Sequence, residues 1–341
     1  MKKQKLVIRI IAIVTAVLLA AGLLWPVISS TVYGDTLSAE LLSSASGGGS
    51  AVLAENDITF TDAASLSTAS GDGYGELLAD AYLYAARECG AVGADSNAMG
   101  VISVGMISGT LPAGELTGAD AEASVAKGSD GSDVPLVLFY VSAKELKRLA
   151  ELDASVGTQD SAAQFFFSGI NYTYNPNRML FDRVTDVVFI RGGNDYWPDN
   201  TINYPVVTDL TTANMLLTAE GESNKMISFT PLDENGSEIT DFNSCAIEDN
   251  SEASIPAWRA VASYLASFGG SVPESYAATD GRKILNDDSG VGAIIASPGK
   301  ATWLAIGLTV AICALLGLIA VKFIVGNLKK IDDIGPDDRL N

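Results

Sequence analysis

Apolar residues form one long continuous run near each end of this chain, and shorter runs lie between them. Each terminal run, at residues 6–27 and 301–325, matches the roughly 20 residues that span the hydrocarbon core of a bilayer as a helix. Lysines lie on the outer flank of both runs, and such basic flanks stay in the cytoplasm. The pattern predicts two transmembrane helices, with both termini cytoplasmic and the region between them outside.

The first run has a second interpretation, a cleaved signal peptide, because Val27 and Ser29 form a small-residue cleavage pattern. Its length favours an uncleaved anchor. The second run could be a buried core helix, although its length and the basic residues after it favour a membrane span. The region between the runs lies outside the cytoplasm whether or not the first run is cleaved.

Between the terminal runs, strand and helix patterns are mixed. Residues 75–89 carry apolar side chains at helical spacing, 99–107 and 134–141 are apolar and β-branched like buried strands, and 255–268 begins as a helix with Pro256 in its first turn. Strands and helices in this order predict an α+β domain with mixed sheets.

Composition then divides the chain into segments, because Ser, Gly and Ala dominate before the domain and Gly, Ser, Asp and Pro follow it. The predicted segments are a cytoplasmic N-terminus at 1–5, a transmembrane helix or signal anchor at 6–27, a flexible tether at 28–70, the folded domain at 71–268, a stalk at 269–300, a transmembrane helix at 301–325 and a cytoplasmic tail at 326–341.

Charge and residue types exclude several classes of function. The chain has 41 Asp and Glu against 21 Lys and Arg, so its surface repels nucleic acid. It has no histidine, which excludes Ser–His and Cys–His nucleophile systems and the usual zinc sites. Cys89 and Cys245 both lie outside the cytoplasm, where they either form a disulfide or stay free.

Several short motifs occur in an order that resembles a known family. They are GELLADA at 75–81, PAGELT at 112–117, a strand and helix at 136–152, FSGINYTY at 167–174 and YPVVT at 204–208. Together they resemble the C-terminal domain of the 5′-nucleotidase family, whose members hydrolyse nucleotides outside the cytoplasm. The resemblance implies a layered α/β/β/α fold. It also implies that hydrolysis belongs to a separate metallophosphatase domain rich in histidine, while the C-terminal domain holds the base between aromatic rings.

The resemblance also points to candidate ligand-binding residues. The family's NGGGIR strand end corresponds to residues 103–108, so Ser103 replaces its asparagine and Ser108 replaces its arginine. A serine cannot grip a phosphate with two parallel hydrogen bonds as arginine does. Phe165 and Phe167 share one side of a strand, where they either stack on a base or pack in the core. We predict no catalytic residue, no metal ligand and no cofactor.

Two hypotheses for the function remain open at this point. The first is a membrane-anchored, extracytoplasmic binding module for a nucleotide or nucleoside, which works beside a separate metallophosphatase or another membrane protein in the plasma membrane. The second is a structural or protein-interaction ectodomain without a small ligand. An intrinsic phosphohydrolase is a third and less favoured interpretation, because imidazole ligands are missing.

Overall fold

The computed structural model describes residues 51–66, 71–155, 157, 164–222, 229–249 and 253–332. The first predicted membrane run therefore lies outside the described residues. The strands are β1 Val52–Asn56, β2 Met99–Ser103, β3 Gly114–Thr117, β4 Leu136–Ser142, β5 Phe165–Ser168, β6 Ile170–Tyr174, β7 Val184–Arg191, β8 Asn194–Tyr196, β9 Asn203–Asp209 and β10 Lys283–Leu285. The helices are α1 Gly73–Glu88, α2 Gly118–Ala123, α3 Ala143–Ser155, α4 Leu210–Glu222, α5 Ala257–Ser267, α6 Val291–Ile294 and α7 Lys300–Asp332.

A four-stranded sheet in the order β4-β9-β2-β5 forms the centre of the domain. β2 runs parallel to β9, and the β4–β9 and β2–β5 pairs are antiparallel. Every residue of β2 is buried, because protein covers both faces of this strand. The mixed sheet confirms the predicted α+β class.

Helices α1, α2 and α5 cover one face of the central sheet. Their approach is close: a Cβ on Gly75 would lie 2.3 Å from the ring of Phe166 on β5. A Cβ on Gly100 of β2 would lie 2.6 Å from the carbonyl oxygen of Ala79 on α1. Glycine at these two positions lets helix and sheet pack at a distance that no other residue permits.

The opposite face packs against α3, α4 and a second sheet in the order β10-β6-β7-β8. Leu149 of α3, Phe167 of β5 and Phe189 of β7 lie in the core between these elements. Glu151 fixes α3 to β7, because its carboxylate accepts hydrogen bonds from the backbone N–H groups of Arg183 and Val184, each at 2.7 Å. The order of layers is thus helices, central sheet, then the second sheet together with α3 and α4.

Both borders of the domain differ from the predicted segments. β1 lies within the predicted tether at 28–70, yet it pairs antiparallel with β3 and buries Leu53 and Ala54. Residues 271–285, which we call the strap, lie within the predicted stalk at 269–300, yet β10 pairs in parallel with β6. Residue composition predicted the wrong borders for the domain. These two segments gain their stability from a few buried side chains and from backbone pairing rather than from long apolar runs.

Helix α7 contains Thr302–Ile324, a stretch of 23 residues with a mean hydropathy of 2.7. Apart from Thr302, no residue of this stretch is buried. Within the described residues it is the one helix long and apolar enough to cross a membrane. Cys89 and Cys245 are free thiols in the structure, each half-buried.

Candidate functional site

The carboxyl ends of β2 and β9 lie side by side, because the two strands are parallel neighbours. Ligands of open α/β sheets commonly bind outside such strand ends. β2 ends at Ser103, and β9 ends at Asp209. The predicted residue Ser103 therefore lies at the edge of the sheet where a ligand site is expected.

The first turn of α4 fills this edge. Asp209 directly precedes α4 and caps its N-terminus: the carboxylate accepts from the backbone N–H and the hydroxyl of Thr212, both at 2.7 Å. The Thr212 hydroxyl also lies 3.0 Å from Oγ of Ser103, and the Tyr82 hydroxyl donates to Asp209 at 3.4 Å. These four side chains, which we call the edge cluster, are each at most 2% exposed.

Burial of the edge cluster perturbs its acid–base chemistry. Desolvation raises the pKa of Asp209 from 3.8 to about 6, although the hydrogen bonds from Thr212 and Tyr82 act in the opposite direction. Burial and the neighbouring Asp209 raise the pKa of Tyr82. A carboxyl with a pKa near 6 suits proton transfer near neutral pH, but this one has no exposed surface. In this arrangement it holds α4 against the sheet.

The two predicted phenylalanines lie in the core. Phe165 and Phe167 are 3% and 2% exposed, and their ring centroids are 6.2 Å apart. Phe167 also meets the ring of Tyr172 edge to face at 5.7 Å. Their rings stabilise the layer between the two sheets, which is the packing interpretation that the sequence left open.

The structure brings only some of the predicted residues together. Ser103 is the cross-strand partner of Phe165, but Ser108 follows a separate helical turn at 104–106. Ser108 is half-buried and fixed through its backbone: its N–H donates to Ser124, and its carbonyl accepts from the Tyr74 hydroxyl at 3.1 Å. The four predicted residues do not line a common cleft.

A second polar cluster, which the sequence did not indicate, joins α1 to the strap. Asp80 of α1 accepts two parallel hydrogen bonds from Arg282, each at 2.8 Å. It also accepts from Tyr276 at 2.6 Å and from the hydroxyl of Ser168. Asp80 belongs to the GELLADA motif, so the motif marked this residue but not its partners, which are about 90 to 200 positions away.

The neighbouring Glu76 is 2% exposed, and it binds the same strap. Its carboxylate accepts from the Thr279 hydroxyl at 2.6 Å and from the Asp280 N–H at 3.1 Å. Burial raises the pKa of Glu76, and the hydrogen bond from Thr279 opposes this shift. Glu76 lies in the first turn of α1, where negative charge is favourable, so the same side chain supports the helix start and fixes the strap.

Lys283, the strap residue that follows Arg282, forms a buried ion pair with Asp153 of α3 at 2.7 Å. Lys283 also donates to the carbonyl of Phe165, and Asp153 accepts from the Phe165 N–H. Because both charges are paired and hydrogen-bonded, this cluster is a cross-link between the strap and the layer beneath it.

The described residues contain no group of three or more His, Cys, Asp or Glu side chains placed to hold a metal ion. A groove of about 610 Å³ runs between the end of β1 and the strap, and Asp57 and Glu274 are among its lining residues. Two carboxylates disfavour the approach of a phosphate group.

Solved structures similar to this chain include a 5′-nucleotidase precursor from Thermus thermophilus, with 16% identity and a TM-score of 0.48. The NAD nucleotidase of Haemophilus influenzae has 12% identity and a TM-score of 0.45, and the sulfate thiohydrolase of Thermus thermophilus has 16% and 0.43. These alignments cover 70%, 70% and 69% of this chain but only 40%, 38% and 35% of the respective proteins. No curated protein matches this chain.

A family model described as "5′-nucleotidase, C-terminal domain" matches residues 45–213. The match begins before β1 and ends within α4, so it includes the central sheet, the second sheet except β10, and the edge cluster. By this match, residues 45–213 of the chain belong to the 5′-nucleotidase C-terminal domain family.

Proposed function

We propose that this chain is a membrane-anchored, extracytoplasmic binding module for a nucleoside or nucleotide, without a catalytic metal centre of its own. The observation that carries the proposal is a 5′-nucleotidase C-terminal domain in a chain without any histidine. The metallophosphatase centre that the resemblance implies holds its metal ions with histidine beside carboxylate, and this chain has no imidazole to supply. A separate metallophosphatase would then perform hydrolysis beside this module.

The charge distribution favours an uncharged nucleoside over a nucleotide. The chain carries a net charge of −20, and Ser108 stands where the family resemblance expects an arginine. Without that arginine, a phosphate would lose a bidentate partner and meet an acidic surface. A ligand of this module would therefore depend on contacts to its base and ribose.

Calorimetric titration of the full-length protein in detergent with adenosine, AMP and their guanine and pyrimidine counterparts tests this proposal. We expect binding of a nucleoside that is at least as tight as binding of its monophosphate. Ser108→Arg should raise the affinity for the monophosphate selectively, and Thr110→Arg, at an exposed position two residues further along the chain, is the matched control. Absence of heat at millimolar ligand for the unmodified protein would remove the binding proposal.

A second candidate function is a structural or protein-interaction ectodomain. The observation that favours it is the burial of Ser103, Phe165 and Phe167, which leaves none of these side chains free to contact a ligand in this conformation. Cross-linking in native membranes, followed by capture from detergent extracts, tests this candidate. Recovery of no partner, together with measurable nucleoside binding, would decide against it.

Membrane attachment rests on the exposed apolar helix at Thr302–Ile324. We propose that it spans the plasma membrane with its N-terminal end outside, and that the run at 6–27 is a second span with both termini cytoplasmic. Carbonate extraction should leave the protein in the membrane, and a stop codon after residue 299 should weaken that retention. Accessibility of tags at each terminus to external protease would contradict the two-pass arrangement.

A further inference from the structure

The start of α7 is fixed to the folded domain by Asp182. One carboxylate oxygen of Asp182 accepts from the backbone N–H of Gly299 at 3.0 Å and from the hydroxyl of Thr302. Both donors lie at the N-terminal end of the helix, where backbone N–H groups lack partners within the helix and negative charge is favourable. Asp182 therefore caps the apolar helix from a different part of the domain.

Arg178 holds Asp182 in this position. Its Nε donates to the Asp182 carbonyl at 2.6 Å, one terminal nitrogen lies 3.2 Å from the carboxylate, and the other donates to the carbonyl of Ala293 in α6 at 2.8 Å. Arg178 and Asp182 are 5% and 4% exposed. The turn at 178–182, α6 and the first turn of α7 are thus joined by buried, charge-assisted hydrogen bonds.

Large apolar side chains are exposed on the two segments that flank the start of α7. Met179 and Leu180 are 43% and 36% exposed, and Val291 and Ile295 are 73% and 49% exposed. We call these four residues the membrane-facing patch. Trp303, in the first turn of α7, is 62% exposed, and tryptophan is enriched where membrane helices enter the headgroup layer.

We propose that the membrane-facing patch inserts into the boundary between headgroups and acyl chains of the outer leaflet, so that the domain sits on the bilayer in one fixed orientation. This proposal rests on the proposed membrane span of α7. Lipid is the expected occupant because the patch is continuous with the point where the apolar span begins. For comparison, an amphipathic helix that lies in this boundary region buries its apolar face by about 5–10 Å.

Charges next to the patch define the lipid chemistry that fits it. Asp287 and Asp288 are exposed on the segment before α6, and Asn177 donates to the Asp287 carboxylate at 2.9 Å. These carboxylates would be repelled by anionic headgroups, so attachment depends on apolar contact. We expect it to occur on phosphatidylcholine and to be insensitive to salt.

Fluorescence quenching in reconstituted full-length protein tests the proposal. Single cysteines at Met179 and Val291 are labelled with a fluorophore, in a background where the three native cysteines are replaced. The vesicles are phosphatidylcholine with a nitroxide on the headgroup of a fraction of the lipid. Asp195→Cys is the exposed control, because β7 places it about 25 Å from the turn that contains Asp182. Leu304→Cys reports insertion of α7 itself.

We expect the labels at 179, 291 and 304 to lose most of their fluorescence and the label at 195 to keep it. Quenching at 304 without quenching at 179 and 291 would overturn the seated orientation and leave the membrane span intact. No quenching at 304 would overturn the span and the seating together. The labels at 179 and 291 could instead become shielded as the protein concentration rises, without being quenched by lipid. That result would show that a second copy covers the patch, and it would also overturn the proposal.

A second measurement does not depend on labels within the patch. Energy transfer from a donor at position 195 to acceptors on lipid headgroups reports the height of the domain above the bilayer. Replacing Val291 and Ile295 with serine removes apolar surface at exposed positions, so folding should be retained. We expect the energy transfer to increase as the domain tilts toward the bilayer, and an unchanged transfer efficiency would contradict a role for the patch.

Discussion

Replacing Asp209 with asparagine tests whether the edge of the sheet is a closed interior. Asp209 caps α4 and is fully buried, and desolvation raises its pKa from 3.8 to about 6. An acid with a raised pKa in the folded state binds its proton more tightly there than in the unfolded chain. The contribution of protonated Asp209 to the unfolding free energy is therefore complete below about pH 4. It is lost as the pH rises through about 6.

The magnitude follows from the two pKa values. A rise in pKa from 3.8 to about 6 corresponds to about 3 kcal/mol of unfolding free energy, since one pKa unit is worth about 1.4 kcal/mol. Asparagine carries no charge at any of these pH values, so this pH-dependent loss is absent from the variant. It accepts one fewer hydrogen bond from Thr212, but that cost is the same at every pH. The stability of the variant relative to the unmodified protein should therefore increase by about 3 kcal/mol between about pH 4 and pH 7.

Urea unfolding of the full-length protein in detergent, followed by near-UV circular dichroism at several pH values, measures this difference. Subtracting the two proteins cancels the titration of the many other carboxyl groups. Asp241→Asn is the matched control, because Asp241 caps a short helical turn at the surface and its hydrogen bonds lower its pKa. Its pH dependence should have the opposite sign. A flat difference for the Asp209 variant would show that water reaches this carboxyl and that the edge is open.

Three further substitutions test the packing of the domain. Gly73→Ala should cost about 1–3 kcal/mol in unfolding free energy, because its Cβ would lie 2.0 Å from a strap carbonyl oxygen, whereas Gly270→Ala meets nothing within 4 Å and should be neutral. Arg282→Met should cost about 3 kcal/mol by leaving Asp80 without its bidentate partner, and Lys127→Met, which breaks exposed ion pairs, should cost less than about 1 kcal/mol. Ser103→Ala should lower the unfolding free energy by about 1 kcal/mol without altering nucleoside affinity, because Ser103 contacts Thr212 inside the edge cluster. A selective loss of nucleoside affinity would instead place Ser103 in the ligand site.

Local patterns predicted the secondary structure that propensity and periodicity control. The helices at 75–89 and 255–268 correspond to α1 and α5. The strand at 99–107 corresponds to β2 only as far as Ser103, because the chain then forms a helical turn at 104–106. The motif order also identified the family before any tertiary information was used. These features follow from side-chain spacing within one element, and spacing is fully contained in the sequence.

The borders of the domain could not be predicted in the same way. β10 is three residues long, and its stability depends on pairing with β6, more than 100 positions earlier in the chain. A short strand of this kind has no periodic pattern of its own. The partners of Asp80 and Asp182 were missed for the same reason, because nothing in the local sequence specifies a contact across such a separation.

The candidate site shows most clearly which properties follow from the sequence and which follow from the tertiary structure. The sequence by itself determined the absence of imidazole ligands, the acidic charge, the long apolar run at 301–325 and the replacement of an expected arginine by Ser108. Only the tertiary structure decided that Ser103 is sealed beneath α4 and that Phe165 and Phe167 face the core. Exposure depends on which distant elements pack over a residue, and the parallel pairing of β2 with β9 brings α4 onto this edge. Residue identity limits the chemistry that is possible, and packing decides which of those groups a ligand can reach.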